Sequence, residues 1–191
     1  MYPKGNNEFK VLSLYLSGYS KRFHLREISR LAKLPLKMTQ NAVCDLEKRK
    51  VLTSKHEGRN KYLSLNLNTI QTKLFLLQSE IYKTLLFLEN YPLIKTFLKE
   101  ISTCTVLVFG SFAKFSAEKD SDIDMMIISN TKGKLPVHLM PYTVHSVQLS
   151  EKSFIKAMHS QETLMSEIEE NHVILNNHSF FVNEWWAYHG K

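Results

Sequence analysis

Val106 to Ile128 reads VLVFGSFAKFSAEKDSDIDMMII, and the punctuation of this stretch decides the fold. Thr105 to Phe109 (TVLVF) predicts a buried strand that runs directly into Gly110-Ser111. Ten residues after the serine, Asp122-Ile123-Asp124 opens a second apolar strand, MMIIS. Side chains alternate along a strand, so Asp122 and Asp124 point to the same face about 7 Å apart. Two carboxylates at that spacing can share divalent cations. A glycine removes the side chain where a triphosphate has to approach the backbone, and a serine hydroxyl with the amides after it can bind phosphate oxygens. Cations on the aspartates would neutralise the triphosphate and activate an attacking hydroxyl.

The order strand, Gly-Ser, ten residues, Asp-x-Asp, strand resembles the signature of the DNA polymerase beta-like nucleotidyltransferase superfamily, in its small "minimal nucleotidyltransferase" branch, over residues 101–177. The resemblance implies that Gly110 and Ser111 bind the phosphates of a nucleoside triphosphate, and that Asp122 and Asp124 are catalytic and hold Mg2+ or Mn2+. Lys114, in the following turn, either assists the phosphates or is an ordinary surface lysine. Active members of the superfamily usually add a third carboxylate from the next strand. Here that strand is expected at Tyr142 to Leu149 (YTVHSVQL), which contains no Asp or Glu. His145 occupies the position, as a proton acceptor or metal ligand, or as a polar residue on a sheet face. The departure bears on catalysis more than on nucleotide binding. Glu118, Asp120 and Glu151 fall in loops or at a helix start.

Beyond this motif, SEKSFIKAMHSQETLMSEIEENHVILNN predicts one or two helices with Phe154, Ala157, Met158, Leu164 and Ile168 facing the core, then a short strand at VIL. The aromatics Trp185, Trp186 and Tyr188 are expected to cap a core or join a subunit interface rather than stack on a base. Before the motif, Ile70, Leu74, Leu77, Ile81, Leu85 and Leu88 recur at intervals of three and four without Gly or Pro, predicting a long helix over Thr69 to Asn90. Its extra apolar residues are satisfied either by packing against both neighbouring domains or by a homodimer through this helix. Pro92 punctuates the chain, LIKTFLKEI predicts a further short helix, and the two parts are expected to be docked rather than loosely tethered.

The N-terminal third has a different character. Helical spacing appears in Glu8 to Gly18, Leu25 to Lys33 and Lys37 to Lys50, and VLTSKHEGRNKYLSLN alternates around Glu57-Gly58 as a hairpin should. Helix, helix, helix and hairpin resemble the winged helix-turn-helix domain of prokaryotic DNA-binding proteins. The third helix exposes Lys37, Gln40 and Asn41 to base edges, and Lys48 and Arg49 to phosphates. The hairpin tip adds Lys55, His56, Arg59 and Lys61. Double-stranded DNA is the expected partner, with a protein-interaction winged helix as the alternative.

Charge supports the division. The net +7 separates into +9 for residues 1–66 and −2 for the remainder. With 43% hydrophobic and 23% charged residues the chain is globular, which excludes wholesale disorder. No apolar run is long enough for a membrane span, and MYPKGNNEFK lacks the apolar core of a signal peptide, so a soluble cytoplasmic protein is expected. Cys44 and Cys104 stand alone, without a disulfide or zinc pattern, as small buried or half-buried residues.

The expected architecture is α+β: a winged helix domain at 1–66, a helical connector at 67–100, and at 101–191 a nucleotidyltransferase-like α/β domain with a short mixed sheet. Three functions fit it. The first is a DNA-binding regulator, transcriptional in kind, whose second domain binds a metal-nucleotide complex. The second is an active nucleotidyltransferase, for which the resemblance implies adenylylation of a protein acceptor, as by antitoxins acting on HEPN-type toxins, or of a small molecule such as an aminoglycoside. The third is a non-catalytic scaffold.

Overall fold

The computed structural model describes residues 7–101, 104–131 and 136–190. Two compact units are distinguished: Met1–Ser79 with Trp185–Lys191, and Glu80–Glu184.

The first unit opens with α1 (Asn7–Leu12). The helix expected to reach Gly18 ends at Leu12 and continues as turns. Ser13 and Ser17 hydroxyls donate to the carbonyls of Lys10 and Leu14, and the amides of Leu14 and Tyr15 bond three residues back. Serine hydroxyls compete for the carbonyls that a continuing helix would use. Strand β1 (Arg22–His24) leads straight into α2 (Leu25–Leu31), whose first turn is capped by His24, Nδ1 accepting from the Glu27 amide. Three residues are too few for a periodic signal, so β1 left no trace in the sequence pattern.

Helix α3 (Leu36–Lys48) follows Pro35, and β2 (Leu52–Glu57) and β3 (Asn60–Leu65) form the expected hairpin. Glu57 faces Asn60 across a two-residue loop in which Gly58 takes φ +61°, a conformation that side chains resist. The sheet order is β1-β3-β2, antiparallel throughout.

Val11, Leu12, Tyr15, Ile28 and Leu46 are fully buried. Tyr15 spans this core: its ring meets Phe23 edge-on at 5.1 Å and its hydroxyl donates to Leu63 O at 3.0 Å. Tyr15→Phe keeps the ring and removes the donor, and is expected to cost about 1 kcal/mol in chemical denaturation. An unchanged midpoint would mean that the carbonyl is satisfied elsewhere.

Helix α4 (Ile70–Asn90) has the expected extent, and the division between the units falls within it, after Ser79. Leu76 and Phe87 are fully buried, whereas Ile70, Leu74, Ile81 and Leu85 are exposed. No helix among the described residues is long and apolar enough to cross a membrane.

The second unit continues with α5 (Ile94–Lys99), β4 (Thr105–Phe109), α6 (Gly110–Ala113), β5 (Ile123–Ile128), β6 (Val144–Leu149), α7 (Glu151–His159), α8 (Thr163–Glu170) and β7 (Val173–Asn176), and α9 (His178–His189) belongs to it as far as Glu184. The sheet order is β6-β5-β4-β7. Strand β5 pairs parallel with β6, whereas β4 pairs antiparallel with β5 and β7, a mixed sheet. Every residue of β4 is buried, which is why TVLVF reads as an unbroken apolar run instead of an alternation. Phe112 of α6 is buried between Tyr91 and Tyr142, with ring centroids 4.9 and 4.8 Å away.

The aromatic tail is the helix α9, and Phe181, Val182 and Trp185 are buried. Cys104 is buried, but Cys44 lies on the outer side of α3 and is exposed, a correction to its expected burial. Both cysteines are free thiols.

Candidate functional site

The buried strand β4 delivers the chain to Gly110, which has φ +68° and starts the four-residue helix α6. Phe109 pairs with Asp124 across the β4–β5 ladder. This register brings the Asp124 carboxylate onto Gly110: a Cβ placed on the glycine would lie 2.5 Å from Asp124 Oδ2. Two independent constraints therefore require glycine here, a left-handed backbone and a carboxylate in the space a side chain would take. Ser111 follows on the same turn and is half-buried, its carbonyl accepting from the Ser116 amide at 3.0 Å.

Asp122 immediately precedes β5 and Asp124 is its second residue. Parallel pairing with β6 sets His145 beside Asp124. The imidazole touches both carboxylates, Nε2 at 3.7 Å from Asp122 Oδ2 and Nδ1 at 3.9 Å from Asp124 Oδ1. The three side chains expected to act together are thus brought together, His145 from the edge strand β6 and the aspartates from the start of its neighbour β5. The His145 side chain is 65% exposed on its sheet face.

Burial pushes the Asp124 carboxyl above its ordinary range; the neighbouring His145 lowers it, while Glu167 and Asp122 raise it further. A raised folded-state pKa means that the native protein holds this proton more tightly than the unfolded chain. The associated stability is complete below the usual carboxylate range and is lost as pH rises through the raised value. Asp124→Asn removes the titration, so its melting temperature should fall less than that of the wild type over this mildly acidic window and lie above it at pH 7. Parallel melting curves for the two proteins would overturn this expectation.

Lys114 caps α6, and its ammonium lies 3.6 Å from Glu167 Oε1 on α8. Glu167 did not stand out in the sequence. It sits among other acidic residues in SEIEE, and only the folding of α8 brings it to the turn that follows β4. Glu118, Asp120 and Glu151 make no ion pair among the described residues, and Glu151 opens α7 behind the capping Ser150, as its position suggested.

No group of three or more His, Cys, Asp or Glu among the described residues is arranged to hold a metal ion. The donor chemistry nevertheless fits a magnesium-like cation. Such ions take one or two carboxylates and complete their shell with water and substrate phosphates, instead of needing a full protein cage. Asp122 and Asp124 supply those hard oxygen donors beside the turn that Gly110 leaves open.

Residues 92–180 match the family model described as Polymerase beta, Nucleotidyltransferase. That span holds Gly110, Ser111, Lys114, Asp122, Asp124, His145 and Glu167, and it is called the nucleotidyltransferase-like domain below. No curated protein and no solved structure matches the chain.

In the first unit, Lys37, Gln40 and Asn41 are exposed along the start of α3. Lys55, His56 and Arg59 are exposed on the hairpin, and neither they nor Lys37 form an ion pair among the described residues. The remaining cations are engaged. Lys61 binds Glu47 at 2.8 Å and Lys48 lies 3.6 Å from Asp45. Arg49 lies 3.9 Å from Glu8 and 5.5 Å over the Phe75 ring, which gives it a packing role within its own unit.

Proposed function

We propose that the nucleotidyltransferase-like domain binds a nucleoside triphosphate as its Mg2+ or Mn2+ complex, with Gly110 and Ser111 on the phosphates and Asp122 and Asp124 toward the cation. The observation that supports this is the placement of the Asp124 carboxylate in the space a Gly110 side chain would take, 2.5 Å from the position of its Cβ, which sets the aspartates beside the turn. A bound cation would supply charge neutralisation for the phosphates. The chain's own contribution is to fix the turn, to keep Cβ atoms out of it, and to hold two carboxylates on one strand face. Lys114 adds a cation for phosphate oxygens.

Transfer of a nucleotidyl group is the alternative use of the same site, with an acceptor hydroxyl attacking the α-phosphorus and pyrophosphate leaving. His145, in contact with both aspartates, is the group placed to take the proton of a hydroxyl. The deciding experiment incubates the protein with each α-labelled ribonucleoside triphosphate and magnesium or manganese, beside Asp122→Ala/Asp124→Ala. Aspartate-dependent pyrophosphate release identifies a transferase; saturable aspartate-dependent binding without release identifies a nucleotide sensor; neither overturns the proposal.

For the first unit we propose a winged helix that binds double-stranded DNA, as a regulator of transcription. Lys37, Lys55 and Arg59, without an ion pair among the described residues, and the exposed amides of Gln40 and Asn41 favour this partner. Binding should weaken steeply as salt rises, because phosphate contacts release counterions. Affinity independent of salt would point to a protein partner or a scaffold. The exposed apolar positions Ile70, Leu74, Ile81 and Leu85 of α4 fit a second copy of the chain, and sedimentation of Ile81→Lys beside the wild type tests that homodimer.

A further inference from the structure

The Lys114–Glu167 ion pair joins the two helices α6 and α8, and only one of its members has been given a role above. Glu167 is held in place by its neighbours, since Met165 and Ile168 of α8 are 2% and 0% exposed. Its carboxylate reaches Lys114 at 3.6 Å, with 45% of the lysine and 44% of the glutamate side chain exposed. Lys114 lies one turn beyond Gly110, whose side-chain space the Asp124 carboxylate takes. A carboxylate thus stands beside the turn, ion-paired to the lysine that ends α6.

We propose that Glu167 is a positioning residue that holds Lys114 at the site while it is empty and surrenders it to the triphosphate. The proposal rests on the nucleotide-binding function argued above. An exposed Lys–Glu pair is weakly held, whereas a phosphate presents several charged oxygens to the same ammonium, so exchange runs toward the phosphate. Until that exchange, Glu167 keeps the lysine from adopting other rotamers and adds a negative charge that disfavours anions. Glu167 is therefore an internal competitor, and its removal tightens the site where loss of a supporting residue would loosen it.

The experiment measures dissociation constants for the magnesium complex of a non-hydrolysable triphosphate analogue by titration calorimetry. Glu167→Gln should bind about 3- to 10-fold tighter than the wild type, and Lys114→Met about 10-fold weaker. In the Lys114→Met background, Glu167→Gln should give a smaller gain, because no ammonium remains to be released. Glu170→Gln, the same charge change at the end of α8, should leave the constant unchanged. Melting curves establish that each variant is folded. Weaker or unchanged binding by Glu167→Gln overturns the proposal while the nucleotide site stands. So does an equal gain with and without Lys114, which would make Glu167 a distant charge only. Absence of binding by the wild type overturns the nucleotide-binding function and this proposal together.

Discussion

Gly110→Ala is expected to reduce affinity for a metal-triphosphate complex by about 100-fold and to destabilise the nucleotidyltransferase-like domain by about 1–2 kcal/mol or more. The residue has φ +68°, where an alanine Cβ crowds the following carbonyl. The larger effect comes from Asp124. Its Oδ2 would lie 2.5 Å from the new Cβ, so the carboxylate has to swing away or β5 has to shift. Asp124 is paired in register with Phe109 on one side and His145 on the other, which leaves the backbone little freedom to move. The carboxylate therefore leaves the face it shares with Asp122. Ser111→Ala is the control, since it deletes a hydroxyl and leaves the turn intact, and it should lose about 10-fold or less. Calorimetric titration with Mg2+ and a non-hydrolysable triphosphate reads both variants. Equal losses for the two would show that the turn contributes only its hydroxyl.

The largest change in stability is expected at a pair that takes no part in the site. Glu80 and His172 are 0% and 1% exposed, and Glu80 Oε1 lies 2.9 Å from His172 Nε2. A carbonyl can only accept, so His172 Nδ1, 2.6 Å from Ile168 O, must donate. The contact between Nε2 and Oε1 then requires a further proton, either on an imidazolium or on the carboxyl. Glu80 Oε2 has no hydrogen-bond partner among the described residues, so the carboxylate is held there on one side only. His172→Ala leaves it with none and opens a cavity against Phe181, whose ring centroid lies 4.5 Å from the imidazole. A loss of about 3–5 kcal/mol is expected in urea unfolding. The double substitution Glu80→Leu/His172→Leu should recover most of it, because a buried pair replaced by apolar side chains costs little. A double variant as unstable as His172→Ala would assign the loss to packing instead.

How much of this was legible in the chain varies by element. Asp122 and Asp124 could be placed on one face from spacing alone, because the alternation of a strand is a local property. The β4 run, the hairpin turn at Gly58 and the extent of α4 were legible for the same reason. The end of α1 was not, since Ser13 and Ser17 carry no fixed preference until their hydroxyls choose carbonyls. Lys61 and Arg49 read as free cations in the sequence, and the fold gave each a partner from a distant segment.

The sequence by itself determined the strand–turn–strand that carries Gly110, Ser111, Asp122 and Asp124, and the separation of a basic third from a mildly acidic remainder. Both follow from short-range periodicity and from counting charges. Only the tertiary structure decided that Asp124 fills the space beside Gly110, that Lys114 faces Glu167, and that Glu80 meets His172 across 92 residues. Those contacts depend on strand register and helix placement. No local preference encodes either, because each is the outcome of packing the whole core at once.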